Sequence, residues 1–110
     1  MPMRPVIASL LLVAALPAAQ ASRTFTGVIT DDVCATESHA RMRMGPTDAE
    51  CTRLCVTVHD GKFVLVNGKD VYALSDQQAP EKFAAQKVRV VGTLRAEGKT
   101  IQVESITAAE

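Results

Sequence analysis

Three thiols and an imidazole crowd into one short stretch, Cys34-x4-His39-x11-Cys51-x3-Cys55, which holds every cysteine of the chain and one of its two histidines. Met42 and Met44 fall inside the same stretch. Thiolate, imidazole and thioether are the donors that bind soft or borderline cations such as Cu(I) and Zn²⁺. Cys34, Cys51, Cys55 and His39 together make a complete tetrahedral Cys₃His set, with Met42 and Met44 as further candidates for copper. Thiols also oxidise outside the cytoplasm, so the same residues offer a second chemistry. A disulfide from Cys34 to Cys51 or Cys55 closes a loop of roughly 17 to 22 residues and contributes on the order of 3 kcal/mol. A Cys51–Cys55 bond within one helix is disfavoured, because the two side chains leave the helix nearly parallel. The spacing matches no familiar zinc finger and lacks a Cys-x-x-Cys knuckle, so metal and disulfide both stay open. Asp31 is expected to orient His39, as carboxylates behind a metal ligand often do. For the Asp31-Asp32 pair, a turn or backbone cap is the commoner role. Methionines that fill packing gaps, and a solvated histidine beside Arg41 and Arg43, are the bland alternatives. His59, in a His-Asp-Gly turn, reads as a surface residue.

The N-terminus decides which chemistry the cysteines meet. Residues 1–21 read as a signal peptide: Arg4 as the positive start, Val6 to Leu16 as an apolar run, Pro17 as a breaker, and Ala19-Gln20-Ala21 as a cleavage site. An apolar run of about eleven residues is well short of the roughly 20 needed to span a bilayer. The expectation is a periplasmic or secreted product with no membrane span. Cleavage leaves residues 22–110 as one small domain. Arg4 is the only charge in the leader, so eleven basic residues face twelve acidic ones in the mature chain. Such a balance gives no long-range attraction to nucleic acid.

Five strands must position the cysteine stretch. Thr24 to Thr30 is β-branched and aromatic, with Gly27 as a bulge or a point of close approach. Lys62 to Val66 and Val71 to Leu74 flank Asn67-Gly68, the strongest short-range hairpin signal. Lys87 to Arg95 alternates, with Val88, Val90 and Leu94 on one face and Gly92 as a second bulge. Thr100 to Thr107 returns as the last strand, burying Ile101 and Val103. Two short helices complete the set. Thr47-Asp48-Ala49-Glu50 is a capping box that starts the helix carrying Cys51 and Cys55, four apart and so on one face. On that helix Leu54 is expected in the mouth of the barrel and Thr52 and Arg53 in solvent. Pro80 starts the second, Glu81 to Ala85, with Phe83 facing the core. Strand, helical insert, strand, strand, helix, strand, strand is the element order of a small five-stranded OB-like barrel, all-β with short helices.

The run Gly27-x-Ile29-x-Asp31-x-x-Cys34, then His39, Cys51-x3-Cys55, Phe63-Val64-Leu65, Val71-Tyr72-x-Leu74 and Val88-x-Val90-x-Gly92-Thr93 resembles a family of small exported bacterial OB-like domains of unknown function. The resemblance covers nearly all of the mature chain. It implies export and the barrel, and it implies no activity.

Enzymatic chemistry finds little support. A thiol oxidoreductase is expected to carry Cys-x-x-Cys at a helix start, and no oxyanion-hole motif accompanies a cysteine–histidine pair. Phosphate-binding glycine motifs are absent, and four aromatics without tryptophan give few stacking platforms for nucleic acid. The expected function is a non-enzymatic exported binding module for copper or zinc. The alternative is a disulfide-stapled structural domain that docks an envelope protein. Neither expectation identifies a physiological partner.

Overall fold

The computed structural model describes residues 2–3, 21–35 and 45–109. Most of residues 1–21, as well as His39, Met42 and Met44, lie outside the described residues. The elements run in the order β1 (Arg23–Asp31), α1 (Asp48–Val58), β2 (Phe63–Asn67), β3 (Asp70–Leu74), a 3-10 turn (Ala79–Phe83), β4 (Lys87–Leu94) and β5 (Thr100–Ala108). All five expected strands are present, with ends shifted by a residue or so. The second helix is tighter than expected, because Pro80 near its start and a run of only five residues suit i→i+3 bonding. Among the described residues no helix is long and apolar enough to cross a membrane.

The strands form one sheet that closes on itself in the order β1-β2-β3-β5-β4. β1 makes this possible by serving two partners. Its first part pairs antiparallel with β4 up to Val28↔Lys87, and from Val28↔Val66 onward it pairs with β2. Gly27 sits at this switch, where an added Cβ would stand 2.5 Å from the Val66 carbonyl oxygen. It is a point of close approach, since no register shift occurs there. The expected bulge at Gly92 does form, as a register shift between Val91 and Gly92 against β5. The hairpin differs in one detail. Asn67 pairs with Asp70 as the last rung, and the two-residue loop is Gly68-Lys69 with φ 59° at Gly68. Glycine at the first central position is what a II′-type hairpin requires.

Where β3 peels away from β2, the Gln77 side chain takes over the ladder. Its Oε1 accepts from Phe63 N at 2.8 Å, and its Nε2 donates to the carbonyls of Phe63 and Leu74, each at 3.0 Å. Alternation along the strands sends Phe25, Ile29, Phe63, Leu65, Leu74, Val88, Val90 and Ile101 into one core. Tyr72, Phe83, Leu94 and Val103 pack against that core only partly buried.

Candidate metal centre

α1 brings two of the thiols together. Thr47 Oγ1 accepts from Glu50 N at 3.1 Å, which caps the helix start as the Thr-x-x-Glu pattern predicts. At the other end the Cys55 carbonyl accepts from both His59 N and Gly61 N, so the backbone of Cys55 is fixed where the helix stops. His59 itself is exposed, as its turn position implies. Cys51 and Cys55, one helical turn apart, face the segment that leaves β1 and meet Cys34 there. The three cysteines form a small buried cluster of their own, separate from the main core, with Val33 packed against it.

The expected packing of α1 needs correction. Thr52, placed in solvent by its polarity, is fully buried, and Ala49 and Val56 rather than Leu54 pack against the core. Ala49, Thr52 and Val56 follow a three–four spacing, so they share the face turned to the sheet. Leu54 and Arg53 are half-buried on the flank, and Arg53 Nε donates to the Glu81 carbonyl at 3.2 Å.

The ligand atoms of Cys34, Cys51 and Cys55 all lie within 4.8 Å of one another. Cys34 Sγ and Cys55 Sγ are 3.9 Å apart. Sulfurs bound to one tetrahedral ion at about 2.3 Å stand about 3.8 Å from each other, so Cys34 and Cys55 already stand near that spacing. A disulfide needs about 2.05 Å, and the expected staple from Cys34 is not formed. Burial pushes the Cys34 and Cys55 thiols above their ordinary value of 9.0, and the negative charge of Asp31 adds to the effect. At neutral pH these two sulfurs therefore keep their protons until a cation displaces them.

Asp31 is the residue whose importance sequence reasoning understated. Inward-facing positions of β1 recur at Phe25, Gly27 and Ile29, and the same alternation carries Asp31 into the interior at the strand's end. Its Oδ2 accepts from Cys34 N at 2.9 Å, so the carboxylate caps the turn that delivers the third cysteine. Oδ1 is buried with no hydrogen-bond partner, and the same holds for Thr52 Oγ1 on α1. Asp32 faces outward and caps the backbone, its Oδ1 accepting from Lys62 N at 2.9 Å. The expectation that Asp31 orients His39, and the inclusion of His39, Met42 and Met44 in the ligand set, concern side chains outside the described residues.

Compared with family models, curated proteins and solved structures, the chain shows no significant match.

Proposed function

We propose that this chain is an exported, non-enzymatic OB-like domain that binds a soft or borderline metal ion, copper or zinc, through Cys34, Cys51 and Cys55. The observation that carries the proposal is the convergence of three buried sulfurs within 4.8 Å. Burial of all three sulfurs suits an ion held for structure, storage or sensing. Thiol catalysis is disfavoured on the same grounds, since reactive cysteines are exposed and have lowered pKa values. Two features favour the OB-like architecture. One is the closed order β1-β2-β3-β5-β4 with β3 parallel to β5; the other is the 3-10 turn between β3 and β4. Export rests on the leader-like residues 1–21 and on the resemblance to small exported bacterial domains.

Native mass spectrometry of the reduced full chain with Zn²⁺ or Cu(I) tests the metal site. One ion per chain is expected, and Cys51→Ser should lose it. Binding that survives Cys51→Ser, or no stoichiometric binding at all, sinks the proposal. A thiol count on protein purified from the periplasm separates the competing disulfide-stapled structure: three thiols after metal removal fit the metal site, and a single thiol fits the staple.

A further inference from the structure

Sulfur donors alone do not choose between copper and zinc, because thiolate suits both Cu(I) and Zn²⁺. The choice falls to whatever else faces the ion. Asp31 reaches the cysteine cluster from the end of β1 and is fully buried. One of its oxygens is spent on Cys34 N, Oδ1 is closed off from solvent with no close hydrogen-bond partner, and the Cys55 thiol lies beside the carboxylate. A buried carboxylate oxygen in that condition is costly unless a cation or a donor meets it. Thr52 Oγ1, on the sheet-facing side of α1, is a second buried polar atom with no partner.

We propose that Asp31 is the specificity-determining residue of the cysteine site, which, if it binds metal as proposed above, is thereby shifted in its selectivity from monovalent copper towards a divalent borderline ion of the zinc class. The charge count supports this. Three thiolates and one carboxylate bring four negative charges into a buried site. A divalent ion cancels two of them and a monovalent ion one. The attraction between the carboxylate and the ion is likewise doubled for the divalent case. A carboxylate oxygen is also a hard donor, which zinc accepts at about 2.0–2.2 Å and Cu(I) does not favour. Removing the charge while keeping the shape should therefore cost zinc more than copper.

The test uses the reduced full chain and its Asp31→Asn variant. Zn²⁺ affinity is read by competition with a chromophoric chelator, Co²⁺ by its sulfur-to-metal charge-transfer absorption, and Cu(I) by competition with a Cu(I)-selective chelator. Asp31→Asn is expected to weaken Zn²⁺ and Co²⁺ about ten- to a hundredfold and to leave Cu(I) within about threefold. Equal losses for all ions, or no loss for any, overturn the role of Asp31 and leave the metal site standing. If the wild-type chain binds none of these ions, the site and this inference fall together. Should Asp31→Asn not fold, the wild-type chain still decides. Its ratio of Zn²⁺ to Cu(I) affinity should exceed that of an amidated three-cysteine peptide without carboxylates by the same ten- to hundredfold factor, and an equal ratio overturns the inference.

Discussion

At the scale of single residues, burial controls the chemistry of the thiols. Cys34 and Cys55 are held above their ordinary 9.0 first by desolvation and then by the charge of Asp31. The folded chain thus binds these protons more tightly than the unfolded chain. That contribution to stability is fully present below about pH 9, where unfolded thiols still hold their protons, and it is lost as pH rises towards the folded values. The reduced, metal-free protein should therefore lose melting temperature above pH 9 more steeply than its Cys34→Ser variant. Thermal melts between pH 7 and pH 10.5 check this, and parallel curves would show that the buried thiols are not perturbed. Cys51 and Cys55 were legible as a pair because a capping box and a four-residue spacing place them on one face. The burial of Asp31 was legible too, in the alternation Phe25, Gly27, Ile29, Asp31, but the adjacent Asp-Asp sequence favours a simple turn. Thr52 was not legible, because its polarity points outward and only the docking of α1 on the sheet turns it in.

At the scale of elements, α1 is the part on which the site depends. It supplies two of the three sulfurs, and its first turn relies on the Thr47 cap. Thr47→Ala should cost about 1 kcal/mol, and Thr47→Ser should restore most of it. For a domain of this size that loss lowers the melting temperature by roughly 4–8 °C. An unchanged melt would mean that docking against the sheet holds the helix without its cap. The strands were readable almost to their ends, since alternation and turn residues agree there. The hairpin was misread by one position because asparagine and glycine both tolerate turns, and pairing of Asn67 with Asp70 decides which residue stays in the ladder.

At the scale of the whole molecule, the cysteine cluster ties the chain segment after β1 to the helix that precedes β2. An ion bound there stabilises only the folded chain, in which the three sulfurs meet. At a free Zn²⁺ concentration a hundredfold above the dissociation constant, the gain is about 2.7 kcal/mol. The melting temperature should then rise by roughly 10–20 °C. Calorimetry on the wild type and on Cys51→Ser, which should show no rise, measures the difference.

The joint between β3 and β5 has a consequence for motion. It is the shortest in the ring, with two register pairs, Ala73↔Thr100 and Leu74↔Ile101. The amides of Ala73 and Ser75 donate across it to Lys99 and Ile101. Breaking those few bonds turns a sheet without free borders into one with two sticky margins, at far less cost than global unfolding. Deuterium should therefore enter first at Ala73 and Ser75, while Val88 and Val90 lag behind. Simultaneous uptake at all four would mean that the ring comes apart as a single cooperative unit.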